Sequence, residues 1–135
     1  MLRLRLLHVA FGLHIVVEIP AALNFFINPS EELQLATPSD SAVALVRQYA
    51  LLLLCSNAIA LVFLLRPIDK VSRRVACALG FYHLGPAFRA ISRLVRNEPA
   101  LGISLGGPIV HLTVHVFCIV ALTTGLYLWP PRDGR

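Results

Sequence analysis

The chain has 135 residues, 57% of them hydrophobic and 14% charged, with a net charge of +5 and a mean hydropathy of +0.74. Water-soluble domains devote about a quarter of their residues to charge, so this composition excludes an ordinary soluble domain. The bases do not gather on one segment with aromatics between them, which excludes nucleic acid as a partner.

Crossing a bilayer takes roughly 20 helical residues, and four apolar blocks reach that length. The first, about 6–27, reads LLHVAFGLHIVVEIPAALNFFI. It follows a basic start, but its length and the interruptions at Glu18 and Pro20 read as a span rather than a cleaved signal peptide. Helical spacing puts His14, Glu18, Ala21 and Phe25 on one stripe, with Asn24 near the end. The second block, about 43–65, carries Arg47 near its start and a mixed stripe of Ala50, Leu54, Asn57, Ala58 and Leu61.

The third block, about 75–95, is the most polar, with His83, Arg89 and Arg93 in YHLGPAFRAISR. Pro86 removes a backbone donor and disturbs the carbonyl near residue 82, which predicts a kink beside His83. The fourth block, about 107–129, places Gly107, His111, His115, Cys118, Leu122 and Gly125 on one stripe. Small residues on the histidine stripe suit close helix packing, so that stripe is expected to face inward. Cys55, Cys77 and Cys118 are odd in number and lie within spans, which argues against a disulfide framework.

The expected fold is therefore all-α, a single-domain polytopic integral membrane protein built as a four-helix transmembrane bundle. Charge gives the orientation. Arg3, Arg5, Arg66, Lys70, Arg73, Arg74, Arg132 and Arg135 fall on one side of the four crossings, and Arg96 is the sole base clearly outside a span on the other. The positive-inside rule puts both termini in the cytoplasm, with the endoplasmic reticulum as the expected membrane in a eukaryote.

Function must then come from polar groups inside the spans, because an ionisable side chain at membrane depth costs a few kcal/mol and normally marks a site. At 1.5 Å of rise per residue, Glu18 and His83 lie within roughly 3 Å of the midplane, His115 about 5 Å above it, and Arg89, Arg47 and His111 roughly 7 to 11 Å above. The leading reading is acid–base catalysis on a lipophilic small molecule, by isomerisation, cyclisation or epoxide opening. Glu18, His83, His111 and His115 would give and take protons, and Arg89, Asn57, Arg47, Asn24 and His14 would hold the substrate. This reading assigns no metal and no cofactor.

Two alternatives stand beside it. His14 with Glu18, and His111 with His115, have the i, i+4 spacing of metal ligands, and His83 with His115 could ligate a haem axially. A non-catalytic lipid-binding or accessory subunit is the other. The partners expected are the bilayer and a lipophilic substrate, with self-association of the chain left open.

The layout of four short spans, the arginine in LVRQYALLLLCSNA and the polar YHLGPAFRAISRL resemble small four-span membrane proteins allied to DoxX-like proteins and domains of unknown function, several of them in fungal metabolite clusters. That resemblance implies the fold rather than an activity; a terpenoid or polyketide intermediate is an example of the lipophilic substrate expected. The chain also resembles membrane sterol isomerases in its intramembrane acid, histidines and asparagine. It lacks their second carboxylate and fifth span, so no residue role carries over.

Overall fold

The computed structural model describes residues 2–33, 37–96 and 107–127, and it is all-helical over them. The elements are α1 (Leu2–Ile27), α2 (Pro29–Leu33), α3 (Asp40–Leu64), α4 (Lys70–Tyr82), α5 (Leu84–Val95) and α6 (Gly107–Tyr127). Residues 128 and 129 of the expected fourth span, Glu98, Arg132 and Arg135, and the side chains of Arg3 and Arg5, lie outside the described residues, as does the burial of Gly125.

Among the described residues, three helices are long and apolar enough to cross a membrane: α1 from Leu6, α3, and α6 as far as Thr124. Three such helices point to a multi-pass integral membrane protein. Their outward faces are apolar, with Val16, Leu52 and Phe117 at 70%, 67% and 61% exposure, as suits side chains that meet lipid.

The expected third span is two helices rather than one. His83 forms a turn between α4 and α5 and donates its backbone N–H to Gly80 O (3.2 Å). Pro86 has no N–H to bind the carbonyl of Tyr82, so the helical ladder is broken just where the sequence predicts a kink. The loop expected over 29–42 also differs, because Pro29 starts the one-turn α2 there; proline suits a first helical position.

Local capping explains the other boundaries. Ser39 Oγ accepts from Ala42 N–H at the start of α3. Asp69 and Ser72 form a reciprocal capping box at the start of α4. The Ser72 backbone N–H, and then its hydroxyl, hold the Asp69 carboxyl below the usual carboxylate range. Gly107 opens α6 with φ 75°, a conformation that favours glycine.

Packing sets the layout. Phe25 stacks on Tyr49 at 5.9 Å between ring centroids and Phe11 on Phe63 at 5.8 Å, so α1 and α3 run antiparallel. Both α4 and α5 pack against α6, and α1 also touches α6. Gly80 lets α4 approach α6 closely: a Cβ there would stand 3.0 Å from Thr123 Cγ2 and 3.3 Å from Leu122 Cβ.

The interior is layered. One apolar cluster joins Leu7, Ala10, Phe11, Ala60, Ala76, Leu79 and Leu122 at one end. A second joins Ala22, Phe25, Ala50 and Leu53 towards the other. Between them lie the buried polar groups His14, Glu18, His83 and His115. The buried face of α3 is Ala50, Leu53, Asn57 and Ala60. That corrects the stripe expected from sequence, since Ala58 and Leu61 face outward.

Candidate functional site

Three helix segments and one turn meet in the middle layer. Glu18 is only 2% exposed, and its Oε1 lies 3.3 Å from His83 Nδ1 and 3.7 Å from His115 Nδ1. The two histidine Nδ1 atoms are 2.8 Å apart. Three residues from α1, the α4–α5 turn and α6 thus bring one atom each into a small triangle. His14 stands behind it, its Nδ1 3.0 Å from His83 Nε2 and its Nε2 3.2 Å from Ser56 Oγ.

The hydrogen bonds give the tautomers. Ser56 donates its hydroxyl to Leu53 O at 2.8 Å, so it accepts from His14 Nε2–H. His14 Nδ1 then accepts from His83 Nε2–H, and His83 Nδ1 carries a lone pair. That lone pair accepts from His115 Nδ1–H and also faces Glu18 Oε1, a buried oxygen with no hydrogen bond. A second chain reaches the other carboxylate oxygen. Tyr82 donates to Glu18 Oε2 at 3.2 Å and accepts from Tyr49 at 3.1 Å. A buried polar network with one unsatisfied oxygen invites a cation, either a proton or a metal ion.

Beside this cluster is a cavity of about 450 Å³, within the usual range for small-molecule sites. Glu18, His115 and Tyr82 form its floor, and Ala21, Phe25, Leu53, Pro86 and Ala90 supply apolar wall. Glu31, Glu32, Arg89 and Arg93 line it at the α2 end, where Arg89 pairs with Glu32.

The residues expected from sequence divide into three groups. Glu18, His83 and His115 are brought together, with His14 joined through His83. His111 and Asn24 line the cavity, the His111 ring 5.9 Å from that of His115. Arg89 also lines it. Asn57 and Arg47 do neither. Asn57 is buried and donates to Leu53 O of its own helix at 2.8 Å, while exposed Arg47 donates to Phe26 O at 3.4 Å near the end of α1. Both were expected to hold substrate, and helical geometry turns each away from the cavity. His83 sits behind the cavity wall rather than in it.

Axial haem ligation by His83 and His115 does not fit. Two imidazoles on opposite sides of one iron need ring centroids roughly 6 Å apart, since each ligating nitrogen already stands about 2 Å from the metal, and these centroids are 5.1 Å apart. Sequence reading missed Tyr82, Tyr49, Ser56, Glu32 and Arg93 as site residues. Tyr82 and Ser56 are immediate neighbours of His83 and Asn57, which is the one signal that could have found them. Compared with protein-family models, with curated proteins and with solved structures, the chain matches none of them.

Proposed function

We propose that the protein is an integral membrane enzyme that moves protons on a lipophilic small molecule held in the cavity. The observation that carries this reading is the floor of that cavity, where a carboxyl and an imidazole stand side by side under apolar walls. Glu18 gives a proton to one position of the substrate and His115 takes one from another, so the net change is an isomerisation, a cyclisation or an epoxide opening. His83 Nδ1 lies between the two groups, at 2.8 and 3.3 Å, and passes the proton back to Glu18. His14 and Ser56 hold the His83 ring in the tautomer that leaves this atom free to accept. Tyr82 holds the second carboxylate oxygen still.

Filling the cavity tests the reading without touching the polar cluster. Ala21 lines the cavity, and Ala21→Phe puts a ring into it. Displacing a substrate by about 1 Å costs on the order of 100-fold in rate, so conversion of lipophilic precursors by isolated membranes is expected to fall by that order. Full conversion by Ala21→Phe would remove the cavity from the function.

The topology proposed with this function has four crossings, the third made by α4 and α5 together. Support comes from register: Gly80 lies against Leu122 and Thr123, His83 against His115, and Arg93 lines the cavity with His111. The broken pair therefore runs antiparallel along α6, as a kinked span would. Both termini are cytoplasmic, and the cavity opens through its α2 end towards the outer leaflet. A cysteine at position 39, but not one at 70, is expected to react with an impermeant thiol reagent on intact cells; labelling at 70 would overturn the orientation.

A further inference from the structure

We propose that Glu18 Oε1, His83 Nδ1 and His115 Nδ1 together bind one divalent transition-metal ion, with an open coordination position facing the cavity. A tetrahedral ion with bonds of about 2.1 Å needs ligand atoms roughly 3.4 Å apart. The three distances here, 2.8, 3.3 and 3.7 Å, bracket that edge. His14, Glu18 and His83 also offer ligand atoms within 4.8 Å of one another, but His14 serves better as support than as ligand.

The surroundings fit this assignment. A ligating histidine normally donates its other ring N–H to an orienting group. His83 Nε2–H does so to His14, and His14 does so in turn to Ser56. Tyr82 restrains the carboxylate oxygen that does not ligate. The ion would occupy the place where the lone pair of His83 and the unpartnered Glu18 oxygen face each other, with His115 binding as its Nε2–H tautomer. Glu18 and His115 line the cavity, so the free position of the ion is open to a molecule there. Two imidazoles and one carboxylate with an open position suit zinc or ferrous iron. Such an ion would polarise an oxygen of the bound molecule or activate a water. The ion would take the lone pairs that proton transfer by Glu18, His83 and His115 uses, so with it bound those roles pass to the ion. The inference rests on the reading above only for the lipophilic molecule in the cavity, and ion binding itself is measured apart from turnover.

The test uses the whole chain, purified in detergent and stripped of metal, then titrated with zinc, ferrous iron and cobalt(II). About one ion per chain is expected, with visible cobalt bands of a low-symmetry nitrogen–oxygen site. The double variant Glu18→Gln/His115→Ala should abolish binding. Ser56→Ala touches no ligand and should weaken binding about 10- to 100-fold, the usual effect of an outer partner. His111→Ala should bind as the parent does. Circular dichroism and a single elution peak establish that each variant is folded. No uptake by the folded parent, or undiminished uptake by the folded double variant, would overturn the site. Turnover that persists in metal-free protein would remove the ion from the reaction and leave the enzyme; an ion bound without conversion of any lipophile would leave the site and remove the enzyme.

Discussion

Glu18→Gln is expected to lower turnover by about 10²- to 10⁴-fold, the range for loss of one proton-transferring group. Glutamine keeps the size of the side chain and can still accept from Tyr82, whose hydroxyl lies 3.2 Å from Oε2. It removes the ionising oxygen that faces His83 and His115. No described carboxylate can replace it in the floor, because the other acids of the cavity, Glu31 and Glu32, belong to α2, and Glu32 is engaged by Arg89. A neutral amide is no harder to place in the interior than a carboxyl, so extraction and helix content should match the parent. The measurement is product formed per mole of folded protein. Parent-like turnover in folded Glu18→Gln would remove Glu18 from the chemistry.

The histidines should separate by position. His115→Ala takes away the imidazole in the cavity floor and is expected to cost about 10²-fold or more in kcat. His83→Ala should approach the same loss although His83 does not touch the cavity, because its Nδ1 lies within reach of both Glu18 and His115. His111→Ala should cost less than about tenfold and act mainly on KM. His111 lines the cavity, only half-buried, and meets His115 by ring contact rather than by a hydrogen bond. Water can stand in for it there. The check is kcat and KM for the three variants beside their thermal stabilities, since removing a fully buried ring such as His83 also leaves a void. Equal losses in all three, or a larger loss in His111→Ala, would contradict the assignment of roles.

Much of this site is legible in the sequence, for a physical reason. In a chain whose helices are otherwise apolar, each ionisable residue at depth stands out, and helical spacing then says which of them share a face. That is how His14 and Glu18 on α1, and His111 and His115 on α6, are found. The break beside His83 is visible in Gly85-Pro86. The face of α3 is another matter. Where lipid as well as the interior is apolar, the inward and outward faces differ little in hydrophobicity, so periodicity carries little signal. Ala58 and Leu61 look as suitable for the interior as Ala60 and Leu53, and only packing separates them. Tyr49 and Tyr82 read from sequence as ordinary aromatics of a span, and their hydrogen-bonded chain to Glu18 joins residues 49, 82 and 18. Such distant partners leave no local trace. The same holds for Arg89 and Glu32, which line the cavity and pair from α5 and α2. Partly exposed pairs of that kind contribute about 0–1 kcal/mol, so this one adds little to the stability of the fold.

Conversion of a lipophilic molecule in the cavity through Glu18 underlies every turnover expectation above. Its most direct test compares organic extracts of cells expressing the parent chain, Glu18→Gln, or neither, by untargeted mass spectrometry. One lipophilic species is expected to accumulate without the protein and with Glu18→Gln. With the parent it is replaced by an isomer of equal mass, or by a product heavier by one water if an epoxide is opened. Indistinguishable extracts from parent and Glu18→Gln cells, with both proteins present in the membrane, would contradict it.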